Sequence, residues 1–156
     1  MDTNQKQSHD IRCLQKNLSA IRKIAGWTTE QLGEKIGVTK QTISNLENAK
    51  TPMTLTQYIA IRTIIDYEIK NNTENPVLAQ VVDILLNNND DYSDEERVKA
   101  EETVKAISGI ASSGVNIASL VAISAGIISG ALGASYSLST KKKNTDWLSK
   151  ILKNIR

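Results

Sequence analysis

The sequence predicts an all-α protein in two parts: an N-terminal domain of four to five helices, then a long apolar helical region rich in small residues. Three observations carry this expectation. Leucine and isoleucine recur at helical spacing between glycine turns and threonine caps over residues 11–71. No convincing strand pattern and no internal repeat interrupts them. Beyond them, Ala106 to Thr140 contains no charged residue.

Met1 to His9 is polar, and residues 1–10 read as a disordered tail. Leu14, Leu18 and Ile21 share one face of a first helix, which Gly26 ends by accepting a left-handed conformation. Thr28 caps a second helix, with Gln31 three residues on to complete a capping box. Leu32 and Ile36, four apart, form its buried face. Gly37 turns the chain, and Thr39 caps a third helix that buries only Ile43 and Leu46. Lys40, Gln41, Thr42, Ser44 and Asn45 then point away from the core. Amide and ammonium groups crowded at a helix N-terminus suit hydrogen bonding to base edges in the DNA major groove. Pro52 and Thr54 open a fourth helix, whose Leu55, Ile59, Ile61, Ile64 and Ile65 close the small core.

Over Leu14 to Ile65 these residues resemble the Cro/phage-repressor family of helix-turn-helix regulators, also called XRE-like. The likeness rests on Arg22 four before Gly26, Gly33 in the second helix, IGVT at the turn, and TISNLENAK after it. The resemblance implies a repressor-like DNA-binding domain over residues 11–71, with double-stranded DNA as partner. It implies base contacts through Lys40, Gln41 and Asn45. It places phosphate contacts at Thr28, Thr29, Thr42, Asn48 and Lys50, and a scaffold pair between Arg22 and Glu47. It also implies a small residue at Gly33, because the second and third helices cross closely there. Two positions depart from the family. Thr29 stands where a phosphate-binding glutamine is common, and Ala49 stands where glycine is common. A partly exposed Arg22–Glu47 pair is expected to add little stability, about 0–1 kcal/mol.

Composition bounds the rest. A chain of 156 residues allows one or two small domains. Phenylalanine is absent, so the core is built from isoleucine, leucine, valine and alanine. The single cysteine, Cys13, excludes an internal disulfide, and with no signal peptide in view it points to a cytoplasmic protein. His9 is the only histidine, so no histidine-based metal site and no Ser-His-Asp triad is expected within one chain. Neither enzymatic activity nor a cofactor is expected, and no small-molecule ligand is evident.

Charge is distributed in blocks. Residues 1–71 hold ten Lys/Arg against seven Asp/Glu, residues 72–140 three against nine, and residues 141–156 six against one. The mildly basic head suits phosphate attraction without identifying DNA binding by itself.

After the breaker NNTENP, Asn75 followed by Pro76 gives a cap-then-proline start to a connecting helix over residues 76–88. Ser93 with Glu96 forms another capping box and opens the region 93–140 through Val98, Val104 and Ile107. Within it Gly114, Ala118, Ala122, Gly126, Gly130 and Ala134 recur at spacing four, a pattern that lets helix backbones approach closely. Two readings stand here. Residues 114–138 are long and apolar enough to cross a bilayer. Alternatively, residues 106–140 form a tightly packed soluble hairpin broken near Ser113–Asn116. A single pass would place the basic segment 141–156 on the wrong side for the positive-inside tendency. That segment forms an amphipathic helix with Trp147, Leu148, Ile151, Leu152 and Ile155 on one face, suited either to a membrane surface or to packing on the protein.

Three function classes follow. The leading one is a sequence-specific DNA-binding transcriptional regulator, repressor-like and a homodimer or higher oligomer, since one short recognition helix reads few bases. The second is a regulator tethered to the membrane through residues 114–138. The third is a protein-interaction module that antagonises another DNA-binding protein.

Overall fold

The computed structural model describes residues 2–133 and 147–155, and every described element is helical. The first helix, α1 (Thr3–Ile24), is also the longest. It buries Leu14, Leu18, Ile21 and Ile24, and lies against helices from both halves of the chain. The disordered tail expected over residues 1–10 is not what forms, because α1 begins at Thr3. The Asp2 N–H donates to Gln5 Oε1, and Lys6 pairs with Asp90 from the far half of the sequence. Polar composition alone hides such a partner, which is why the tail looked unsupported.

Three short helices follow: α2 (Thr29–Ile36), α3 (Lys40–Glu47) and α4 (Leu55–Asn71). Thr54 accepts from the Gln57 N–H and starts α4, which buries Tyr58, Ile61, Arg62 and Ile65. The connecting helix α5 (Pro76–Val82) widens into a π-helical turn at Asp83–Asn87. Pro76 sits at the first position of α5 as expected, but Asn75 makes no side-chain cap there. Instead its amide donates to the Ile24 carbonyl at 2.9 Å in a buried setting. The last carbonyls of a helix have no intrahelical donor, and the buried end of α1 takes one from Asn75.

Ser93 and Glu96 form the expected capping box, with Ser93 N–H donating to Glu96 Oε2 and Glu96 N–H to Ser93 Oγ. They launch α6 (Asp94–Ser112), which packs lengthwise on α1. Lys16 and Glu101 pair across this contact, while Val98 faces solvent. The core is continuous: buried side chains run from Leu14 to Ile151 in one cluster. The boundary expected at residue 71 is therefore not a boundary in the core.

The apolar stretch is a hairpin rather than a span. The chain breaks after α6, with Gly114 at φ +83°, and Asn116 caps α7 (Ile117–Leu132) by accepting the Ser119 N–H at 2.8 Å. Among the described residues no helix is long and apolar enough to cross a membrane. This corrects the transmembrane reading of residues 114–138; Ala134 to Leu138 lie outside the described residues. The small-residue stripe faces outward on α7. Alpha-helix α7 buries Leu120, Ser124 and Ile128, whereas Ala118, Ala122, Gly126 and Gly130 are exposed. Each exposed residue is two positions from a buried one, roughly 200° round the helix. A Cβ added at Gly114, Gly126 or Gly130 meets nothing within 4 Å. Among the described residues, then, the stripe makes no close helix–helix contact. Ala134, its last member, lies outside the described residues.

The C-terminal helix α8 (Trp147–Asn154) packs on α4. The Trp147 indole donates to Asp66 Oδ2 at 2.6 Å, and its ring meets Tyr58 edge-on with centroids 5.7 Å apart. Ile151 is buried, but Leu152 and Ile155 are exposed, so only part of the expected apolar face is used.

Candidate nucleic-acid interface

The interface is built from two caps and one tight turn. Thr28 accepts from the Gln31 N–H at 3.0 Å, and Gln31 Oε1 accepts from the Thr28 N–H at 2.9 Å. Gly37, at φ +76°, ends α2 in the left-handed conformation. The Val38 N–H then donates to the Gly33 carbonyl at 2.9 Å, folding the turn back on α2. A Cβ at Gly33 would lie 2.6 Å from the Val38 oxygen, closer than atoms of real side chains come. The small residue expected at position 33 is thus required by backbone approach. Thr39 caps α3 by accepting from the Thr42 N–H at 3.2 Å.

Helix α3 sinks only Ile43 and Leu46 into the core. Lys40 and Gln41 are exposed, and Asn45 is half-buried at the foot of the same face. Gln41 Nε2 donates to Asn45 Oδ1 at 2.9 Å, joining the two amides one helical turn apart. The proposed phosphate contacts are placed less uniformly. Thr28 is exposed and Thr29 half-buried at the N-terminus of α2, which also carries Glu30, a charge that opposes phosphate there. The Thr42 hydroxyl is shared with that of Thr39 at 3.1 Å. Asn48 Nδ2 donates to the Ser44 carbonyl at 2.8 Å, so that amide caps the end of α3. Lys50 is exposed and, like Lys40, forms no ion pair among the described residues.

Ala49 takes φ +54°, the single non-glycine residue with positive φ among those described. The turn after α3 therefore keeps the left-handed shape that favours glycine, and holds it with an alanine. Lys50 N–H donates to the Asn45 carbonyl at 2.9 Å across this turn.

Arg22 and Glu47 form the scaffold pair. Arg22 Nη2 donates to Glu47 Oε2 at 3.2 Å, Arg22 Nε donates to Glu47 Oε1, and Arg22 Nη1 donates to the Trp27 carbonyl at 2.7 Å. Their side chains are 11% and 9% exposed, so the pair is nearly buried rather than partly exposed. That changes its energetics, because a nearly buried charge left without its partner is costly. The Trp27 ring lies beneath the Lys35 ammonium at 5.2 Å.

Sequence reasoning missed Gln15. From α1 its Nε2 donates to the Leu46 carbonyl at 3.0 Å and the Thr51 carbonyl at 2.7 Å, while its Oε1 accepts from the Met53 N–H at 2.9 Å. One side chain thus ties the end of α3 to the loop before α4. A polar residue beside Leu14 on the core side of α1 was its only signal. Cys13 is structural: burial pushes its thiol up to about 11, with the nearby Glu101 carboxylate adding to the effect. Among the described residues no group of His, Cys, Asp and Glu side chains is arranged to hold a metal ion.

Comparison with known protein families matches residues 18–69 to the helix-turn-helix family. No curated protein and no solved structure matches the chain. The matched segment runs from the middle of α1 almost to the end of α4 and contains both caps, the Gly37 turn and the buried pair. Residues 18–69 of this chain are thus similar to a helix-turn-helix domain of the Cro/phage-repressor kind, a family of DNA-binding regulators.

Proposed function

We propose that the protein is a sequence-specific transcriptional regulator that occupies an operator by laying α3 in the major groove. The observation that carries this reading is the face of α3, polar and open where the helix is not anchored by Ile43 and Leu46. The hydrogen-bonded amides of Gln41 and Asn45 keep Gln41 Oε1 as an acceptor and the Asn45 Nδ2 hydrogens as donors on adjacent turns. An adenine edge in the major groove offers the complementary donor and acceptor, N6–H and N7. Lys40, at the first position of α3, reaches a guanine or a flanking phosphate. Thr28, Thr29, Thr42 and Lys50 hold the backbone, with Asn48 contributing mainly by shaping the turn that carries Lys50.

A dimer is part of the proposal, since two half-sites one helical turn apart give the specificity that one helix lacks. The exposed, uncharged face of α7, with Ala118, Ala122, Gly126 and Gly130, supports an interface there.

The test is operator selection from random duplex DNA, followed by titration of wild type and Gln41→Ala on selected and random sequences. Loss of one bidentate base contact is expected to cut specific affinity by about 1–3 kcal/mol and leave random-sequence affinity nearly unchanged. Equal losses on both DNAs, or no enriched sequence, would refute base reading by α3.

A further inference from the structure

A cavity of about 330 Å3, with no residue of α3 in its lining, opens between α1, the first half of α4, the turn after α5 and α8. Its size is that of a small-molecule site. Arg62 lies in its wall, 2% exposed. One guanidinium nitrogen, Nη2, donates to Asn87 Oδ1 at 3.0 Å, and the plane of the group rests 5.3 Å from the Trp147 ring. Among the described residues, Nε and Nη1 have no hydrogen-bond partner. An arginine so deeply buried normally has its donors met, because unmet charged donors carry a large desolvation cost.

The surrounding charges favour an anion. Lys6, Lys150 and Lys153 line the cavity with Arg62, against Asp10 and Asp90. Asp90 is held by Lys6, and Asp10 attracts Arg62 with no hydrogen bond between them among the described residues. Lys150 and Lys153 stand exposed on α8, at the mouth. Four cations against two carboxylates leave two positive charges in excess, with Arg62 deep and Lys150 and Lys153 at the rim. Trp147 and Tyr58 supply apolar wall beside the guanidinium.

We propose that this cavity binds a small-molecule oxyanion, a carboxylate or phosphate group accepted by Arg62 Nε and Nη1 and screened by Lys150 and Lys153. The site is separate from the DNA-reading face and stands whether or not α3 reads bases.

The test uses the full chain, 15N-labelled, in low-salt buffer free of phosphate, titrated in separate arms with inorganic phosphate and with benzoate. The Arg62 Nε–H and Trp147 indole N–H signals are expected to shift and saturate in at least one arm, and the arm that saturates first identifies the chemistry. Arg62→Met, of similar length and apolar, is expected to stay folded and to weaken binding about tenfold or more, the worth of a charged hydrogen bond. Should that variant unfold, the double variant Lys150→Gln/Lys153→Gln, altered only at exposed positions, replaces it, with an expected loss of about threefold or more from reduced screening. Shifts that never saturate in either arm, or unchanged affinity in the folded variants, would overturn the proposal.

Discussion

Two helical hairpins in this protein carry glycine inside a helix, and in only one of them does close backbone approach require it there. In the α2–α3 hairpin, Gly33 lies against the Val38 carbonyl, with 2.6 Å left for a Cβ. In the α6–α7 hairpin, Gly126 and Gly130 face open space. In sequence the second set looks the stronger, being a repeated stripe, whereas Gly33 is a lone glycine in an eight-residue helix. The difference is geometric. Helix α2 is followed at once by a turn that folds back on it, so backbone meets backbone. The α6–α7 connection lets α7 turn its bulkier Leu120 and Ile128 inward, and the small residues are left outside.

The sharpest way to break the α2–α3 arrangement is to remove Glu47, which ties its end to α1. Glu47→Ala leaves Arg22 nearly buried and unpaired, and should cost about 3 kcal/mol, lowering the melting temperature by roughly 6–12 °C. A loss below about 1 kcal/mol would mean the pair behaves as a surface salt bridge. Next is Gly33→Ala, expected to cost about 1–3 kcal/mol in chemical denaturation because the Val38 carbonyl must give way.

The same change in the other hairpin should act in the opposite direction. Gly126→Ala and Gly130→Ala each remove backbone freedom without a clash and should stabilise by about 0.5–1 kcal/mol. Replacing both with leucine should leave the fold intact. If α7 is where copies meet, sedimentation should then show a weaker oligomer and a weaker hold on a two-half-site operator. An unchanged association state would remove α7 from the proposed dimer.

The smallest effect lies at Ala49. Ala49→Gly relieves a left-handed alanine but adds chain entropy to the unfolded state, for a net gain of about 0.5 kcal/mol in equilibrium unfolding. A loss there would show that the turn has adapted to alanine.

The sequence by itself determined the helices of the head and their caps. Thr28 with Gln31, Thr39, and Ser93 with Glu96 are local devices spanning three residues, and the structure forms each of them. The burial of Ile43 and Leu46 was equally legible from local spacing, and the small residue at position 33 was implied by the family resemblance. Tertiary structure alone decided what lies far apart in sequence. Lys6 with Asp90 extends α1, Asn75 closes its other end, and Gln15 joins α3 to the following loop. Arg62 gives no sign from its place in α4 that it will be buried beside Trp147. The face that α7 turns inward was not legible either, since leucine–serine–isoleucine and alanine–glycine lines share the spacing of four. Local hydrogen bonds are set by residues within reach of one turn. Which face is buried depends on the total apolar area the rest of the chain brings to it.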